Sequence, residues 1–195
     1  MGLSFHYSGR LAMPEYLPQL MDEVKQVCDV YKWEYRTHNP AFPEGTDFSK
    51  DDFNDEIYGI TFTPPGCETV AISFLSNGRM SSPVLFLFHG GEQQSIAKGL
   101  LYTLSVKTQF SSPSIHLVLM KLFHHLSEKY LTDFNLIDEA KYWETNDENV
   151  MNQNFARYNA LLENFSLGIA SIQPQKDENL IDYLIRIADR VKRLE

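Results

Sequence analysis

From residue 3 the chain alternates. Leu3, Phe5, Tyr7 and Leu11 fall on one side of an extended backbone, and Ser4, His6, Ser8 and Arg10 on the other. A period of two predicts a half-buried strand over 3–11. The period then lengthens: Leu17, Leu20, Met21, Val24, Val27, Cys28 and Tyr31 recur at three- and four-residue spacing. This predicts a helix over 14–31, with Pro14 at its start and Pro18 able to delay that start by one turn. Trp33 to Thr37 reads as a second strand, closed by Asn39-Pro40 and Pro43.

Residues 44–56 carry no period. Glu44, Asp47, Asp51, Asp52, Asp55 and Glu56 face Lys50 as the one cation, a net charge of −5, and the stretch is expected to be a surface loop. Four strands are predicted after it, over 57–63, 68–76, 83–89 and 100–110. Thr63-Pro64-Pro65-Gly66, Ser76-Asn77-Gly78-Arg79 and His89-Gly90-Gly91 are the connecting turns, with Asn-Gly the strongest hairpin signal. No helix-length segment separates these strands, so antiparallel pairing is expected.

A second amphipathic helix is predicted from Pro113-Ser114, with Ile115, Val118, Leu119, Leu122, Leu126 and Tyr130 on its inner face. A short strand is expected around 134–137. Thr145-Asn146-Asp147-Glu148 has the form of a capping box and opens a third helix carrying Val150, Met151, Phe155, Tyr158, Leu161, Leu162 and Phe165. A linker over 171–176 leads to a last helix over about 177–193. There Leu180, Leu184, Ile187 and Val191 form a seam, and Asp182 with Arg186 and Asp189 with Arg193 are spaced as i,i+4 pairs.

The expected fold is α+β: an antiparallel sheet of about six strands in strand–helix–multistrand–helix order, with two further C-terminal helices packed on the core. A single domain over 1–195 is expected, with the sheet and two helices in 1–131 and a mainly helical extension in 132–195. The order of the first two-thirds resembles the plan of TATA-binding-protein-like and helix-grip domains. Folds of that plan host unrelated functions, so the resemblance implies no activity.

Composition narrows the classes of function. The chain has 195 residues, 43% of them apolar and 22% charged, which excludes disordered and collagenous proteins. With 26 acidic and 17 basic residues the formal charge is −9, which disfavours nucleic acids and anionic membranes as partners. The longest apolar run, from Val84 to Phe88, is far short of the ~20 residues that span a bilayer. No secretory pattern is read at residues 1–6, and a cytoplasmic location with reduced thiols at Cys28 and Cys67 is expected.

Catalytic motifs are incomplete. Phe86-Leu87-Phe88-His89-Gly90-Gly91 resembles the oxyanion segment of lipase-type hydrolases, but no Gly-x-Ser-x-Gly elbow accompanies it. His124, His125 and Glu128 share a helix side, yet Lys121 and Lys129 lie beside them and oppose a cation. Cys28 falls on the apolar stripe of the first helix and is expected to be buried, whereas Cys67 lies beside a turn. No cofactor or metal site is expected, and no catalytic residue is assigned.

Two distributed features remain. One is the acidic loop, with Glu44, Asp47, Asp51, Asp52, Asp55 and Glu56 as contacts for a basic protein partner. On that reading the protein is a non-catalytic binding or regulatory protein, of which an acidic inhibitor or immunity-type protein is one form. The other is the polar sheet face, where His6, Arg10, Thr103, Ser105, Lys107 and Gln109 would bind a small molecule, with weak catalysis a variant of that reading. A closed, partly apolar pocket favours the second; an open, flat, wet sheet favours the first. Monomer and small homo-oligomer both remain open.

Overall fold

A computed structural model of the protein describes residues 3–91, 94, 96, 98–171, 175 and 178–192, with residues 168–171 and 190–192 as backbone. The fold is α+β, and the described residues form six helices and two antiparallel sheets of three strands each. One sheet has the order β5-β1-β6, from Leu104–Lys107, Ser4–Leu11 and Leu131–Asp138; the other has the order β2-β3-β4, from Glu34–Thr37, Tyr58–Thr63 and Val70–Phe74. Five of the expected strands, together with the short one expected around 134–137, are thus divided between two sheets.

A short hairpin joins the sheets. The turn at Ser76-Asn77-Gly78 returns the chain so that Met80 bridges to Phe74 and Arg79 to Arg10 of β1. Gly78 has φ +78°, and a Cβ there would lie 2.7 Å from the Phe48 ring. Farther along, β4 is tied to the first sheet by the Tyr7 hydroxyl at Ala71 and by Glu68 N donating to Lys107 O at 3.0 Å.

Helix α1 (Leu17–Tyr31) follows a 3-10 turn at Pro14–Tyr16 and packs on β3. Its stripe of Leu17, Leu20, Met21, Val24 and Cys28 is fully buried, as its spacing predicts. Lys32 ends the helix in the left-handed conformation (φ 56°), and Trp33 N then donates to Cys28 O at 2.8 Å. Helix α3 (Pro113–Tyr130) packs on β6, and its Phe123 ring meets the rings of Tyr7 at 4.7 Å and Phe5 at 5.4 Å.

Three predicted segments differ. Residues 83–89 form helix α2 (Pro83–His89), not a strand: Ser82 Oγ accepts from Leu85 N at 3.1 Å, and Pro83 occupies the first turn. His89-Gly90-Gly91 therefore ends a helix and is not a hairpin turn. The strand predicted over 100–110 shortens to β5 because Gly99 turns left-handed and Leu100–Tyr102 form a 3-10 turn. Strand β6 is longer than expected and starts directly after α3.

In the C-terminal third, α4 (Tyr142–Thr145) precedes α5 (Glu148–Ser171), which enters the main core through Met151 and Phe155. The helix cap is Asp147, whose Oδ1 accepts from Asn149 N at 2.7 Å, two residues beyond the expected Thr145. Helix α6 (Leu180–Lys192) packs on α5, burying Ile187 with Phe165 and Tyr183. Of the expected seam, Leu180 is 69% exposed and Leu184 36% exposed, and the Val191 side chain lies outside the described residues. Arg186 makes a two-pronged pair with Glu178 at 2.8 and 2.7 Å. The expected Asp189–Arg193 pair and most of the 171–176 linker also lie outside the described residues.

Candidate ligand-binding cleft

The two sheets part between β4 and β5, and the gap is a cleft of about 490 Å³. Strand alternation determines its lining. On β3 and β4, Ile60, Phe62, Val70 and Ile72 turn into the core, which leaves Thr61 and Thr69 on the other side. On β5, Val106 points inward while Ser105, with Thr103 just before the strand, faces the cleft. Tyr7, Ala71, Leu85 and Leu104 supply an apolar wall, and the start of α2 covers one side.

Arg36 and His38 bring the polar chemistry. They stand two residues apart, so the extended chain projects both from one face. His38 Nε2 lies 3.2 Å from Thr61 Oγ1. Burial, and then the neighbouring Arg36 charge, hold the His38 pKa below the ordinary imidazole value, so the ring is neutral at pH 7. Arg36, His38 and Pro83 also line a second, more open hollow of about 830 Å³ that extends to Asp55, Glu56 and Phe86. The two hollows share Arg36, His38 and Pro83, and residues of α2 line both.

Of the residues singled out by sequence, Thr103 and Ser105 line this cleft. Arg10 lines a separate pocket. His6 pairs with Ser105 and Lys107 with Ser4 in the β1–β5 register, and Lys107 N donates to Glu68 Oε2 at 2.9 Å. Gln109 is buried beyond the end of β5. Arg36, His38 and Thr69 were not singled out. The signal for Arg36 and His38 was the polar side of the short second strand, where Glu34, Arg36 and His38 alternate with Tyr35 and Thr37.

The acidic loop is held in place by its aromatics. Phe42 stacks on Tyr58 at 4.5 Å, Phe48 meets Phe42, and Phe53 meets Phe86. All six carboxylates are exposed. Asp47 Oδ1 accepts from Ser49 N, and Glu56 Oε2 accepts from the Tyr58 hydroxyl.

A buried Thr108–His116–Asp138 array has the residue types of a catalytic triad but a structural setting. All three side chains are fully buried, and Phe5 and Phe155 present ring edges to His116. His116 Nδ1 is 2.9 Å from Thr108 Oγ1; Nε2 lies 3.2 Å from Asp138 Oδ1 but out of hydrogen-bond alignment. Burial alone would raise the Asp138 pKa, yet His116 and the N–H groups of Ala140 and Trp143 hold it below the usual value. The carboxylate anchors the turn into α4, and no substrate reaches it.

His124, His125 and the two cysteines also have structural surroundings. His125 Nε2 bonds Glu23 at 2.7 Å, and His124 stacks on Trp143 at 3.8 Å. Among the described residues no group of three His, Cys, Asp or Glu is placed to hold a metal ion. Burial pushes the Cys67 thiol up, and burial with Asp29 raises Cys28 to about 11, so both stay protonated at neutral pH. Among the described residues no helix is long and apolar enough to cross a membrane. No protein-family model, curated protein or solved structure matches the chain.

Proposed function

We propose that the protein is a small-molecule-binding domain whose ligand lies in the cleft between the sheets. One observation carries this reading: Thr103 and Ser105 of the polar sheet face border a partly enclosed cleft of about 490 Å³, within the 300–1,000 Å³ typical of small-molecule sites. Its apolar wall suits a hydrocarbon or ring surface. Arg36, neutral His38 and the hydroxyls of Thr61, Thr69, Thr103 and Ser105 suit a polar or anionic end. A ligand-observed NMR screen of organic acids, amino acids, sugars and nucleosides tests it. Ser105→Phe places a ring at the cleft wall on a position a strand tolerates. Ligands that bind the native chain and lose binding to Ser105→Phe are expected; hits of equal strength on both, or no hits, refute the reading.

A second reading, a basic protein partner at the acidic loop, has support in the exposure of all six carboxylates and in the aromatic contacts that hold the loop. Reversal of Asp51 and Asp52 to lysine would then slow association sharply and reduce its salt dependence. Unchanged association would reject that surface.

A further inference from the structure

We propose that Arg10 and Arg79 form a binding site for a tetrahedral oxyanion, phosphate being the biological member of that class. The two residues are directly opposite each other across an antiparallel bridge. Leu11 N donates to Gly78 O and Met80 N to Gly9 O, both at 2.9 Å, which makes Arg10–Arg79 the non-hydrogen-bonded kind of pair. In that kind the Cα atoms approach to about 4.5 Å and the side chains are closest. Like charges at such positions repel and weaken the pairing.

Both guanidinium groups are also held in place. Arg10 Nη1 donates to Phe48 O, and the Arg79 guanidinium carbon sits 3.5 Å above the centre of the Tyr102 ring. Among the described residues neither takes part in an ion pair, in a chain where acidic residues outnumber basic ones by 26 to 17. Between them lies a pocket of about 180 Å³, lined also by Ser8, Gly9 and Asp133. That is too small for a drug-sized ligand but several times the ~30 Å³ share of one water molecule. Two fixed forks of N–H donors match the oxygens and the double charge of phosphate. An anion there would turn the repulsion into a bridge between β1 and the hairpin.

Asp133 places a carboxylate in the same pocket, where it would oppose an incoming anion. It sits in the pocket at φ 51°, a conformation that Asn also adopts readily. Calorimetric titration with inorganic phosphate, and with phenyl phosphate as a monoester, against sodium chloride at matched ionic strength tests the proposal. Native protein is expected to bind phosphate. Arg10→Gln and Arg79→Gln should each weaken binding on the order of tenfold or more, the effect of losing a charge-assisted contact. Asp133→Asn should tighten binding and leave the melting temperature without phosphate unchanged. Where an arginine-to-glutamine variant fails to fold, Arg10→Lys, which keeps the charge and loses the fork, should still weaken binding. Binding of phenyl phosphate as well assigns the site to esters; binding of inorganic phosphate alone assigns it to the free ion. No heat beyond that of chloride, affinity unchanged in the arginine variants, or phosphate-independent destabilisation by Asp133→Asn overturns the proposal.

Discussion

The Tyr7 hydroxyl donates to the Ala71 carbonyl at 2.8 Å and accepts from the Ala71 N–H at 3.1 Å, so one side chain of β1 takes the place of a neighbouring strand along β4. Burial pushes its phenol far above the ordinary tyrosine value, so it remains a donor across the working pH range. Tyr7→Phe keeps the ring packed on Phe123 and removes both bonds. Leaving the N–H and C=O of Ala71 without that partner should cost ~1–3 kcal/mol. Urea denaturation reads the loss; an unchanged midpoint would show that the hydroxyl does not hold the sheets together.

Acid should weaken the junction of α1 and α3. Glu23 receives Lys129 Nζ at 2.5 Å, His125 Nε2 at 2.7 Å and the Tyr130 hydroxyl at 2.8 Å. Burial acts to raise the Glu23 pKa, but these three partners bring it from 4.5 down to about 2. A lowered carboxyl stabilises the fold fully above its unfolded value, and that contribution fades as pH falls from about 4.5 through about 2. Glu178 titrates over the same range because Arg186 lowers it likewise. The informative measurement is therefore the difference between native protein and Glu23→Gln. The variant should lose stability at pH 7 and show a shallower decline in acid; parallel pH curves would contradict the assignment.

The C-terminal hairpin should come loose without unfolding the rest. Among the described residues Ile187 is the buried contact between α6 and α5, and a 13-residue helix on its own is marginal in water. Truncation of a buried Ile to Ala usually costs about 2–5 kcal/mol. Ile187→Ala is expected to speed amide exchange throughout α6 while β1, β3 and α1 keep their protection. Equal acceleration in all of them would mean that α6 unfolds together with the main core.

The hairpin turn depends on glycine. Gly78 combines φ +78° with a Phe48 ring 2.7 Å from where a Cβ would be. Gly78→Ala should cost ~1–2 kcal/mol from the left-handed backbone alone, and displacement of Phe48 adds to it. The melting temperature should fall, and NMR of the 44–56 loop should report its release. A melting temperature equal to that of the native chain would exclude this packing.

Long amphipathic segments were legible in the sequence. The α1 stripe and the alternation of β1 each supply many matching positions, and each element formed where its period predicted. Residues 83–89 were not legible by the same means. Five consecutive apolar residues fit a buried strand or a short helix equally well. The deciding signal was local: Ser82-Pro83 is the same cap and first-turn pair as Ser112-Pro113, which opens α3. The β5 side of the cleft was visible as alternating Thr103 and Ser105. Arg36 and His38 were not, because what places them beside β5 is how the two sheets separate, and no local period encodes that.

Strand alternation also interleaves two kinds of evolutionary constraint along a single stretch of chain. On and just before β3, β4 and β5, codons for Ile60, Phe62, Val70, Ile72 and Val106 answer to the interior, while those for Thr61, Thr69, Thr103 and Ser105 answer to the lining of the cleft. The second set can drift one nucleotide at a time without disturbing the first. A lineage carrying this scaffold can therefore change the lining of the cleft while inheriting its foldability intact.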